Sequence, residues 1–86
     1  MKTFEAQILT PEGSLFKGEV TGVRMPGTLG SFEVLANHAA IVSTLEEGKV
    51  VVHKENDETT YMISGGFVEV NNNHLTLLAE SVLENQ

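Results

Sequence analysis

The 86-residue chain has no cysteine, so neither disulfides nor thiolate-bound metals can supplement its core. That fits a reducing compartment, although exported proteins also lack cysteine. Basic residues are scarce: five Lys and Arg stand against twelve Asp and Glu, a formal net charge of −7. Nucleic acid needs clustered Lys and Arg against its phosphates, and that class is excluded. Adsorption to anionic lipid is disfavoured for the same reason. The excess is uneven, with four acids and three bases in residues 1–43 and eight acids and two bases in residues 44–86. Its bland effect is solubility, and its sharper one would be a basic partner surface.

Long apolar runs are missing too. The longest are short stretches such as Val50-Val51-Val52 and Leu77-Leu78-Ala79, against the ~20 residues that span a bilayer. Met1-Lys2-Thr3 leads into the alternating Phe4-Glu5-Ala6-Gln7, not the apolar core of a signal peptide. The protein is expected to stay where it is made, with no direct membrane insertion. Any membrane association would come through a partner. The aromatics are Phe4, Phe16, Phe32, Phe67 and Tyr61, which suit a core better than a platform for stacking bases or sugars. No segment carries a helical stripe of ten or more residues.

What the chain does have is strand patterning. Phe4, Ala6 and Ile8 alternate with Glu5 and Gln7, a period of two. Thr10-Pro11-Glu12-Gly13 is a turn, because Pro presets φ and Gly accepts positive φ. Leu15-Phe16 reads as a short strand, Gly18 as a bend, and residues 19–25 as a further strand ended by Pro26-Gly27. Strands follow at Phe32–Leu35, Ile41–Leu45 and Lys49–Lys54, with residues 36–40 a loop. A polar hairpin tip at residues 55–58 leads to strands at Thr59–Ser64, Phe67–Val70 and His74–Ala79. Gly65-Gly66 and Asn71-Asn72-Asn73 break the last three, Asn being tolerant of the left-handed region. About nine short strands with frequent turns predict an all-β sandwich or barrel. One domain over residues 1–80 is expected, with residues 81–86 a short fraying tail.

Catalytic patterns are hard to find. His38, His53 and His74 are spaced by 15 and 21 residues, which matches no metal motif. No serine lies in a nucleophile elbow. Ser64-Gly65-Gly66 lacks the Lys and the helix that a phosphate loop requires. Gly27-Thr28-Leu29-Gly30 likewise has no helix behind it, and reads as a hairpin bend. Glu46-Glu47 and Glu55, Asp57, Glu58 sit in expected turns and read as solvated tips. The residues therefore predict a small binding or structural module. No enzyme, metal or cofactor is expected. His38, within Asn37-His38-Ala39-Ala40, is the polar residue this reading explains least.

The order of segments resembles one family. Pro11-Glu12-Gly13, Leu15-Phe16 and Gly18-Glu19-Val20 are similar to the opening of ATP synthase epsilon subunits. Pro26 to Gly30, Val34-Leu35, Asn37-His38-Ala39, Leu45 and Gly48-Lys49-Val50 resemble its central part. Ser64 to Val70, then Leu75 to Glu80, resemble its closing hairpin. Ala36 and Ala40 stand where that family often has Pro, Ser31 where an acid is frequent, and Glu33 where Gly is common.

The resemblance implies an antiparallel β-sandwich of two roughly five-stranded sheets. It implies a non-catalytic central-stalk subunit that links gamma to the membrane c-ring in proton-driven ATP synthesis. The location implied is the cytoplasmic face of a bacterial cell membrane, as a peripheral part of the complex. The ring-side residues it implies are Thr28, Leu29, Gly30, Ser31 and Phe32, with Asn37, His38, Ala39 and Ala40. The gamma-side residues are Thr10 and Val42. Many relatives continue into a two-helix hairpin, whereas this sequence stops at Gln86, so neither hairpin inhibition nor nucleotide binding is expected here. The competing reading is a free-standing sandwich that binds carbohydrate, for which the aromatics offer little.

Overall fold

A computed structural model describes residues 2–83. They form ten strands: β1 (Phe4–Thr10), β2 (Gly13–Val20), β3 (Gly22–Gly27), β4 (Gly30–Leu35), β5 (Ile41–Leu45), β6 (Gly48–His53), β7 (Glu58–Ile63), β8 (Gly66–Asn71), β9 (His74–Ala79) and β10 (Val82–Leu83). Hydrogen bonding runs along one continuous path, β10-β7-β6-β3-β5-β8-β9-β1-β2, with β4 added beside β3. The path curls so that five strands, β4-β3-β6-β7-β10, and the other five, β5-β8-β9-β1-β2, share one core. The β3–β5 link between the two groups is a single pair, Gly27 with Leu45. This is the expected all-β sandwich of two five-stranded layers.

Alternation produces the core. Phe4, Ala6 and Ile8 of β1, Val50 and Val52 of β6, Val68 and Val70 of β8, and Leu75 and Leu77 of β9 all turn inward. Among the described residues no polar or charged side chain is buried, and no buried side-chain N or O lacks a hydrogen-bond partner. Apolar packing fills the space between the layers, and at the β3–β5 edge the Glu46 N–H donating to the Pro26 carbonyl adds a backbone link.

Four local expectations change. β2 runs unbroken through Gly18, which pairs with Ala6, and the chain breaks instead at Thr21, whose N–H and hydroxyl both donate to the His53 carbonyl. β3 continues through Pro26 and Gly27, because Pro26 sits where β3 has left β6 and not yet met β5, so no ladder bond is asked of its nitrogen on that edge. β1 and β9 pair in parallel, which the length of chain between them permits. Finally, the tail does not begin at Ser81: Val82 and Leu83 pair with Ile63 and Met62 of β7. The remainder of that expected tail, residues 84–86, lies outside the described residues.

Candidate functional site

The β3–β4 hairpin turns at Thr28-Leu29, and Leu29 at its tip is fully exposed (102%). The tip is tied down by Thr28, whose N–H donates to the Thr44 carbonyl (3.4 Å) and whose hydroxyl lies 3.2 Å from that of Thr44. Gly27 permits the turn to close tightly, since a Cβ there would fall 2.7 Å from the Gly30 carbonyl and 2.8 Å from the Phe32 ring. In the connection from β4 to β5, Asn37 stands at φ 66°, and its N–H donates to Asn73 Oδ1 at 2.7 Å. His38 donates its own N–H to the Leu35 carbonyl (3.2 Å). Its Nδ1 stands 2.7 Å from the Ala39 carbonyl, which can only accept, so Nδ1 carries a proton.

These two loops meet. Thr28, Leu29, Gly30, Ser31, Phe32 and His38 line one open groove of about 490 Å³, closed on its other side by Ile41, Val42 and Ser43 of β5. Asn37, Ala39 and Ala40 are exposed but do not line it. The groove has the volume of a small-molecule pocket but not the enclosure, and so suits a protein surface better than a ligand.

Round the β5 corner lies the outer face of β5-β8-β9-β1-β2. Cross-strand register puts Thr44, Phe67, Leu78 and Leu9 in one row and Val42, Glu69, Thr76 and Gln7 in the next. A third row, Asn71, His74 and Glu5, is wholly polar. The face thus grades from the largely apolar Thr44 row to the polar row at the far end. Val42 is 71% exposed, Phe67 40% and Leu78 38%, enough apolar side chain to reward a partner that covers it.

Val42 lies on an exposed strand face. Thr10 is placed differently. It lies on β1, with β8 and β9 between it and β5, about 14 Å away at ordinary strand spacing. Its hydroxyl serves the β1–β2 turn, donating to the Gly13 carbonyl and accepting from the Glu12 N–H. It borders a separate small hollow with Pro11, Leu15 and Val82. Sequence reasoning missed Phe67 and Leu78. The signal was available: Phe67 shares a strand face with Glu69, while Val68 and Val70 take the other.

The histidines occupy three settings. His38 is in the loop, His74 is exposed on β9, and His53 lies on β6 with Nε2 3.7 Å from Glu33 and Nδ1 3.5 Å from Glu58. Among the described residues no three His, Asp or Glu side chains gather as metal ligands. No helix there is long and apolar enough to cross a membrane.

Comparison with known proteins follows the same lines. Residues 3–85 match the family described as ATP synthase, Delta/Epsilon chain, beta-sandwich domain. An ATP synthase epsilon chain of Caulobacter vibrioides is 44% identical over 84 residues, covering 98% of each chain. One from Chlorobaculum tepidum is 42% identical, covering 94% of this chain and 93% of its own. One from Endomicrobium trichonymphae is 36% identical, and there the match covers 93% of this chain and 58% of the longer relative. Among solved structures, a chain of the Euglena gracilis mitochondrial ATP synthase (OSCP/F1/c-ring) superposes with a TM-score of 0.88 at 23% identity. The match covers 94% of this chain and 52% of that one, and establishes likeness of fold.

Proposed function

This chain belongs to the ATP synthase delta/epsilon-chain β-sandwich family, and from that premise we propose that it is a non-catalytic central-stalk element joining the gamma subunit to the c-ring. The observation that carries the reading is the family match over residues 3–85 combined with an outer sandwich face that exposes Val42, Phe67 and Leu78. The row of Thr44, Phe67, Leu78 and Leu9 on β5, β8, β9 and β1 is the gamma side, with Phe67, Leu78 and the neighbouring Val42 as its contacts. Thr10 belongs to the margin of that face. The groove between the Thr28–Phe32 tip, His38 and β5 is the ring side, with Asn37, Ala39 and Ala40 exposed beside it.

Mechanically, the two layers share one apolar core, and dense interiors resist shear. Torque arriving on one face passes to the groove without a chemical step in this chain. Its place is peripheral, at the cytoplasmic side of a bacterial cell membrane, held there by its partners. Complexes assembled without the chain should hydrolyse ATP but pump protons poorly, and adding the chain should restore pumping. If adding it creates hydrolysis where none existed, the non-catalytic reading fails.

A further inference from the structure

Among the described residues β2, β4 and β10 each pair with a single neighbour, so each leaves one edge of backbone N–H and C=O groups without a ladder. β10 carries no charged side chain, and β4 carries only Glu33. β2 carries both signs, Lys17 and Glu19, and both side chains are exposed. Across the β1–β2 ladder Lys17 faces Gln7 and Glu19 faces Glu5, so neither meets an opposite charge there. A register shift between Ile8 and Leu9 leaves Leu15 unpaired, and this bulge makes the start of β2 a poor template for another strand. The regular part of the free edge is residues 16–20.

A lone Lys on an edge strand discourages pairing. Here Glu19 stands two residues on, on the same face, and offsets that effect in one register. Two copies of one strand pair antiparallel about a two-fold axis, and backbone groups meet only if one residue faces its own copy at the axis. An axis at Lys17 or at Glu19 sets like charges directly opposite each other, which destabilises the pair. An axis at Phe16 runs into the bulge, and one at Val20 runs past the end of β2. An axis at Gly18 sets Lys17 opposite Glu19 of the second copy, twice by symmetry, and meets no side chain at its centre. We infer that the free edge of β2 is a self-pairing edge, on which a second copy of this chain docks antiparallel about Gly18. The two β5-β8-β9-β1-β2 layers then continue as one sheet. A five-residue ladder is smaller than a standard interface, so the dimer is weak, with a dissociation constant of roughly 0.1–1 mM. The inference stands apart from the proposed function and needs neither stalk partner.

Sedimentation equilibrium with a charge swap tests it. The chain is run at up to about 1 mM in about 0.15 M salt, where screening within about 8 Å limits repulsion between copies. The parent should show a monomer–dimer equilibrium. Lys17→Glu and Glu19→Lys each turn both charge pairs into like charges, and each should weaken the dimer about fivefold or more. The double variant Lys17→Glu/Glu19→Lys restores opposite pairs and should return to within about twofold of the parent. Net charge alone predicts otherwise, because Glu19→Lys takes it from −7 to −5 and would strengthen association. Both positions are exposed, so thermal midpoints should stay near that of the parent. A parent that stays monomeric would overturn the inference. So would a dimer that the single variants leave intact, or one that the double variant fails to restore. The proposed function would stand in each of these cases.

Discussion

The Thr28 and Thr44 hydroxyl oxygens stand 3.2 Å apart, so the tip of the β3–β4 hairpin is fastened to β5 and does not hang free. Thr44→Val keeps the shape and removes that hydrogen bond. The group is exposed, so the stability cost should be small, about 0.5–1.5 kcal/mol at most. Amide exchange at residues 28–30 should quicken while the core strands keep their protection. Unchanged exchange at the tip would show that the fastening lies elsewhere.

Gly66 opens β8 at φ 152°, and a Cβ there would run into the Leu78 carbonyl. Gly66→Ala should therefore cost about 2 kcal/mol or more, combining strain with a backbone clash. For a domain of this size that is a fall of roughly 10 °C or more in thermal midpoint. Gly30, at φ 126°, has nothing within 4 Å of its Cβ position. Gly30→Ala should cost less, since only strain applies. Equal losses at the two positions would contradict this account.

Much of the strand plan was legible in the sequence, because alternation sets which residues face the core. Val68, Val70, Leu75 and Leu77 are buried as the period of two requires. Gly18 and Pro26-Gly27 misled because glycine and proline often end strands, whereas here neighbouring strands spare the groups those residues lack. Val82-Leu83 was unreadable because a two-residue strand exists only through its partner β7. The two loops were identifiable separately through family resemblance. Their meeting in one groove depends on how β4 crosses to β5, which no local pattern encodes. Phe67 was lost to the habit of sending aromatics inward.

The Asn37–Asn73 contact offers a third test. Both residues have positive φ, at 66° and 61°, and the Asn73 side chain accepts the Asn37 N–H. Asn73→Ala removes the acceptor and places alanine in the left-handed region. A loss of about 1–2 kcal/mol is expected by thermal unfolding, with quicker exchange in residues 37–40. No change in either quantity would refute the anchoring role.

His38 is partly exposed, and its side-chain bond reaches only the neighbouring Ala39 carbonyl. His38→Ala should leave the isolated domain folded, within about 0.5 kcal/mol of the parent, while weakening attachment to the ring. A fall of roughly 10 °C in thermal midpoint, equivalent to about 2 kcal/mol, would assign His38 a structural role instead.

The central claim is that the outer face of β5-β8-β9 engages gamma. The most direct measurement is calorimetric titration of the chain with purified gamma, using two charge insertions. Leu78→Asp places a carboxylate in the apolar row, and Thr60→Asp places one on exposed β7 in the opposite layer. The account predicts a 1:1 complex for the parent and for Thr60→Asp, with binding by Leu78→Asp weakened about tenfold or more, as a buried unpaired charge should do. Equal affinity for all three proteins, each shown to be folded, would contradict it.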